Sequence, residues 1–230
     1  MYLSQTVTMQ PITLYFHGSS PNPWKVAMIL EELNLPYTKK DVSFTEIKKE
    51  PYVLINPNGR LPAIEDPNTG LTLWESGAII EYLIEVYDTN HSISFERGSE
   101  EYFHAKQFLH FQVSGQGPYF GQALWFSYQH PEKVVSAQDR YINQAKRVTE
   151  VLDRVLEGKK YLVSGRFSYV DAAFVPWYEP VPSVTGNAID LEEVFPNVKG
   201  WLERVRGRPA IAKILRERGE ALAAEAAGKK

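Results

Sequence analysis

The chain has 230 residues, 43% of them hydrophobic and 23% charged, with no cysteine and a formal net charge of −3. That length suits one large domain or two small ones with a real core, and the charge balance supplies neither a basic footprint for nucleic acid nor a polybasic patch for a membrane surface. Without cysteine there is no disulfide, no thiolate metal site and no sulfur nucleophile belonging to the protein.

No apolar run approaches the roughly 18 residues that a spanning helix needs. Residues 1–10 form a flexible leader without the basic start and apolar core of a signal peptide, so a cytoplasmic protein is expected. The five histidines show no paired ligand spacing, and no metal is expected.

The first element is the strand "PITLYF", in which Ile12, Leu14 and Phe16 alternate. A helix follows, with Asn22 as its N-cap and Pro23 in the first helical position, where a missing N–H is harmless. Val26, Ile29, Leu30 and Leu33 give it a 3.6-residue period, and "NLP" ends it. "YTKKDVSF" is a second strand and "TEIKKEPYVLINPNGR" a broken, partly helical connection. "LPAIED" and "LTLWE" form a hairpin across "PNTG", and "SGAIIEYLIEVYD" is an amphipathic helix. Residues 11–88 therefore make one small α/β layer.

A polar linker occupies 89–99, and residues 100–216 read as all-helical. They hold a long aromatic stretch interrupted by Gly115, Gly117 and Gly121, and an amphipathic helix through Ile142, Val148 and Leu152. A capping box pairs Ser168 with Asp171, and Pro209 opens the second helix of a final pair. Residues 217–230 form a tail, of which the terminal "GEALAAEAAGKK" is expected to fray.

Four places can carry chemistry. In "NPNGRLPAI" the Leu61–Pro62 bond is either part of an ordinary turn or cis, and a cis bond would turn the backbone of Leu61 outward to pair with an extended peptide. In "WESGAI" Ser76 is either only a helix cap or, with Glu75, a recognition pair. The helix start would take a carboxylate and Glu75 an ammonium. Asn22, as a cap, keeps its NH₂ free to donate, and a thiolate beside it and the helix end would be stabilised, with the hydroxyls of Ser19 and Ser20 at the same corner. Arg140 in "QDRY" is solvated or paired with Asp139 as most helix arginines are.

In this order the pieces resemble the cytosolic glutathione transferases, over residues 11 to about 216. "SPNPWKV", "INPNGRLPAI", "LWESGAI", "FQVSGQGPYFGQALWF" and "DRY" are most similar to the fungal nitrogen-regulator-like branch and the related bacterial nu class. The resemblance implies a thioredoxin-like α/β N-terminal domain followed by an all-α C-terminal domain, in a homodimer. It implies glutathione as co-substrate, with its sulfur beside Asn22. Ser19 falls where delta-class relatives have a catalytic serine, and Ser20 where nu-class relatives have a threonine. Leu61, before a cis Pro62, would pair with the cysteinyl moiety, and Glu75 and Ser76 would hold the γ-glutamyl end. Lys48, or Lys49 because the loop is one residue short, would meet the glycine carboxylate. Arg140 would reach the glutathione of the neighbouring subunit. Pro23 departs from the glycine usual after the asparagine, and the absence of an Asn/Gln-rich extension removes any expectation of prion-like behaviour.

The implied function is activation of glutathione as thiolate, for conjugation to a small hydrophobic electrophile or reduction of disulfides and peroxides. The second substrate would lie between the halves, near Tyr119, Phe120, Trp125 and Phe126. The alternative is a glutathione-binding regulatory or scaffold protein with little catalysis.

Overall fold

A computed structural model describes residues 9–181, 185 and 188–228. Most of the expected leader, residues 1–8, and the last two residues of the expected tail lie outside them.

The N-terminal half is a four-stranded mixed sheet in the order β2-β1-β3-β4, from β1 (Ile12–Phe16), β2 (Tyr37–Asp41), β3 (Ala63–Asp66) and β4 (Leu71–Trp74). β1 and β2 run parallel because α1 (Pro21–Glu32) is the crossover between them, while β3 runs antiparallel to β1 and β4 to β3. Ile12, Leu14 and Ile64 point to the face covered by α1 and α3 (Ser76–Tyr87). Tyr15 and Ala63 point the other way, onto Val42, Ile47, Tyr52 and Leu61, where α2 is one short turn (Tyr52–Ile55).

The C-terminal half is helical: α4 (Glu100–Phe111), α5 (Gly117–Tyr128), α6 (Val135–Leu156), α7 (Tyr169–Tyr178), α8 (Pro196–Arg206) and α9 (Pro209–Gly228). The glycine-interrupted stretch does not break. A π-helical turn over Gln112–Gln116 joins α4 to α5, and a Cβ on Gly115 would lie 3.3 Å from the Phe111 ring. The terminal segment is not frayed either. α9 stays helical to Gly228, with Ala221 packed on Gly18 and Glu217 paired with Lys39. Among the described residues no helix is long and apolar enough to cross a membrane.

α1 joins the halves. Every residue from Pro23 to Leu30 is buried, because α1 is enclosed by the sheet, α3, α7 and α9. A single-face period understates such a helix, which is covered all round. One hydrophobic core therefore runs from Ile12 and Leu14 through Val26, Ile29 and Leu30 to Phe174 and Trp201. Within the buried run of α1 the charged residue is Lys25, 1% exposed, whose Nζ donates to Gln112 Oε1 at 2.5 Å across the junction. Gln112 Nε2 donates to Gln116 Oε1, and Gln116 Nε2 to the carbonyl of Phe174.

The capping box is formed. Buried Asp171 accepts from the Ser168 N–H at 2.9 Å, and also from the Ser168 hydroxyl, the Leu162 N–H and the Trp201 indole at 3.1, 3.0 and 2.8 Å. Asp171→Ala strands these donors in the core, each worth about 1–3 kcal/mol. A loss of at least about 3 kcal/mol in a denaturant titration is expected.

Burial depresses the Lys25 pKa to about 7, against a weaker opposing pull from Glu75. Between that value and the ordinary lysine value the unfolded chain binds a proton that the folded chain does not, so stability rises with pH. The rise, up to about 1.4 kcal/mol per pH unit, should appear from about pH 7 to about pH 9.5 in wild-type urea titrations and flatten in Lys25→Met.

Candidate functional site

The start of α1 differs from the sequence expectation. The N-cap is Ser20, in extended conformation, so Pro21, Asn22 and Pro23 occupy the first three helical positions and Asn22 is not a cap. Two prolines fit there because first-turn N–H groups have no partner within the helix. Neither supplies a donor, and the Ser20 N–H donates to the His17 carbonyl at 3.1 Å. The main-chain donor left at this helix end is the Asn22 N–H. The Asn22 side chain does not turn back to the helix either. Its Oδ1 accepts from the Trp177 indole N–H at 3.0 Å, across the junction with α7, which leaves Nδ2 to donate.

The second wall is the loop before β3. Leu61–Pro62 is cis, as is Glu50–Pro51, which the sequence did not suggest. The loop is tied from beneath. The carbonyl of Arg60 accepts from Tyr52 Oη and from Asn56 Nδ2, both at 2.7 Å, and Asn56 Oδ1 accepts from the Asn58 N–H at 3.0 Å. Gly59 has φ +57°, and a Cβ there would sit 2.6 Å from the Ile47 carbonyl, so only glycine fits. Lys48 crosses this glycine and donates from Nζ to the Asn58 carbonyl at 2.8 Å.

The third wall is the start of α3. Glu75, not Ser76, is the N-cap residue, and Ser76 is the first residue of the helix. Glu75 has φ 70° and ψ 111°, a conformation that costs a non-glycine residue about 1–3 kcal/mol. Asn58 Nδ2 approaches its carboxylate at 3.5 Å, and the Ile79 N–H closes the first helical bond onto the Glu75 carbonyl. The N–H groups of Ser76, Gly77 and Ala78 precede that bond and have no carbonyl of their own helix.

These walls enclose a cleft of about 790 Å³ between the two halves. Ser20, Asn22, Lys48, Leu61, Glu75 and Ser76 all line it; Ser19, Pro62, Lys49 and Arg140 do not. Arg140 lies on the exposed side of α6. Of the four aromatics expected at a second-substrate pocket only Trp125 lines the cleft. Phe120 is buried against Tyr178, Tyr119 lies under Arg147, and Phe126 stacks on Tyr141 and His130. Phe44, stacked on His17 at 4.4 Å, also lines the cleft. Sequence reasoning missed Phe44, Arg60, Lys25 and Trp177. Arg60 sits inside the quoted motif beside Leu61. Lys25 likewise sits inside "SPNPWKV", three residues after Asn22, whereas Phe44 and Trp177 are brought to the cleft from other segments. Among the described residues no group of three or more His, Asp or Glu side chains is gathered to hold a metal.

Comparison with known proteins agrees with this architecture. Residues 10–85 match the model of the glutathione S-transferase N-terminal domain, and residues 118–209 that of the C-terminal domain. The chain is 48% identical to the glutathione S-transferase-like protein gedE of Aspergillus terreus over 215 residues, covering 89% of this chain and 94% of that one. It superposes on the glutathione transferase URE2P6 of Phanerochaete chrysosporium, solved with oxidised glutathione, with a TM-score of 0.88 and 45% identity, over 92% of this chain and 98% of that one. Ure2p5 of the same fungus, cocrystallised with 1-(S-glutathionyl)-2,4-dinitrobenzene, matches with a TM-score of 0.85 and 36% identity, over 94% and 98%. With both family models matched and close relatives aligned over nearly the whole chain, the chain belongs to the glutathione S-transferase family, among its Ure2-like members.

Proposed function

We propose that the cleft binds glutathione, holds its sulfur as thiolate beside Asn22, and presents it to an electrophilic carbon or to a disulfide. The observation that carries this reading is the Asn22 amide. Its oxygen is taken by Trp177, so a donor is left at a helix end in the same cleft as a carboxylate, an unoccupied helix start and a cation. Glutathione needs those partners in that arrangement. The Glu75 carboxylate suits the α-ammonium, and the Ser76 hydroxyl with the first N–H groups of α3 suits the adjacent carboxylate. The Leu61 backbone suits the cysteinyl amide, and Lys48 the glycine carboxylate. The two Ure2-like neighbours hold glutathionyl ligands, which supports the same use of this cleft.

At neutral pH a free thiol with pKa about 8.5 is mostly protonated. Lowering it by about two units takes near 2.7 kcal/mol. Charge-assisted hydrogen bonds from Asn22 Nδ2 and its backbone N–H, with Ser20 at the same corner and the positive end of α1 behind them, are of that size. The thiolate then forms a C–S bond and expels the leaving group of the electrophile. Alternatively it attacks a disulfide, forming a mixed disulfide and releasing a thiolate. Since the chain has no cysteine, a second glutathione must resolve that mixed disulfide, giving oxidised glutathione and a second released thiol. Trp125 and Phe44, 44% and 52% exposed, give the cleft an apolar rim for the second substrate. The protein would act in the cytoplasm as a homodimer, in which Arg140, outside its own cleft, reaches toward the partner's.

Asn22→Ala is expected to lower kcat about tenfold while changing the glutathione KM less than about twofold. An unchanged kcat would remove Asn22 from the chemistry. Ser76→Ala is expected to do the reverse, raising the glutathione KM about tenfold with little effect on the bound thiol pKa. Calorimetric titration with glutathione, followed by assays with an aryl halide and with hydroxyethyl disulfide, tests the whole reading. No heat of binding would overturn it, and binding without turnover on either substrate would favour a regulatory protein.

A further inference from the structure

Trp177 and Asn22 are 155 positions apart in the chain, yet the indole N–H of one donates to Oδ1 of the other. An asparagine amide has one accepting and one donating end, and a half-turn about its last torsion exchanges them. At Asn22 the choice decides the chemistry. With Nδ2 toward the cleft a thiolate gains a donor; with Oδ1 there it meets a lone pair. The paired prolines leave few other donors at this corner, so the orientation of the amide outweighs its mere presence.

An indole N–H can only donate. Facing it, Asn22 forms a hydrogen bond in one orientation alone, because the flipped amide would set NH₂ against N–H. We infer that Trp177 is a positioning residue that locks the Asn22 amide, through its indole N–H, in the orientation that turns Nδ2 toward the sulfur; this rests on the proposed glutathione reading.

The ring is itself held. Trp177 is 7% exposed, on a helix whose every residue is buried. It lies along a glycine face of α5. A Cβ on Gly121 would come within 3.3 Å of the ring, and one on Gly117 within 3.8 Å. These glycines give the indole room to lie flat and extend toward α1. Trp177 also lines the cleft, so the group that fixes the donor stands beside the space the ligand fills.

The test removes the N–H and keeps the ring. Trp177→Phe is made alone and together with Asn22→Ala, and the indole is also replaced at position 177 by 3-benzothienylalanine, which keeps the bicyclic shape without a donor. Thermal melts establish folding. The thiol pKa of bound glutathione is read from its ultraviolet thiolate absorbance against pH, beside kcat and KM. Loss of the lock is expected to lower kcat about fivefold, raise the thiol pKa, and leave the glutathione KM within about twofold. In the Asn22→Ala background the same substitution is expected to change nothing further. An unchanged thiol pKa with the benzothienyl side chain, or effects that add to those of Asn22→Ala, would overturn the positioning role and leave the glutathione reading standing. If Asn22→Ala alone leaves the thiol pKa unchanged, the thiolate reading fails and the positioning role with it.

Discussion

The structure depends on the complete enclosure of α1. Eight consecutive residues, Pro23 to Leu30, are buried because the sheet takes one side and α3, α7 and α9 take the rest. Burial of this kind is proportional to the apolar area removed from water and has no direction of its own. Direction comes from the few polar groups carried in with it: Lys25, bonded to Gln112, and Asn22, bonded to Trp177. Both bonds join the α/β half to the helical half. The same helix thus forms the core of the protein and delivers its functional end to the cleft.

That functional end is built in an unusual way. A helix N-terminus ordinarily offers several backbone N–H groups to an anion. Here Pro21 and Pro23 remove two of them, and the task passes to a side-chain amide. A side chain can be moved, so it needs support, and the support comes from the other domain. The start of α3 is the opposite case: Ser76, Gly77 and Ala78 keep their donors, and the strained Glu75 backbone sets its carboxylate beside them. One helix start is arranged around a side chain and the other around the main chain. A tripeptide with a thiol in its middle and a zwitterion at one end matches that division.

Much of this was legible in the chain. Period-two and period-3.6 patterns located β1, the β3–β4 hairpin, α3 and α6, and the Ser168–Asp171 spacing located the start of α7, because each is a local regularity that burial or capping imposes. The composition of "NPNGRLPAI" and "WESGAI" located two walls of the cleft. What could not be read was tertiary. Which of three adjacent residues caps α1 depends on where the His17–Ser20 turn closes. Which aromatics face the cleft depends on α5 rotating so that Gly117 and Gly121 meet Trp177, which sends Phe120 into the core. The glycines that seemed to interrupt a helix serve a π turn and a close approach. The tail, rich in alanine and lacking a clear apolar period, is held in place by contacts with β2 and the loop before α1.

Those tail contacts carry one more implication. Gly18 and Ala221 touch over a space so small that a Cβ on the glycine would come within 3.2 Å of the alanine side chain. The loop before α1 and the last helix described are thus stitched together beside the functional corner, with no slack between them. During synthesis that corner can take its final shape only once the segment around Ala221 has emerged, so the geometry of the cleft waits on a part of the polypeptide made long after the corner itself.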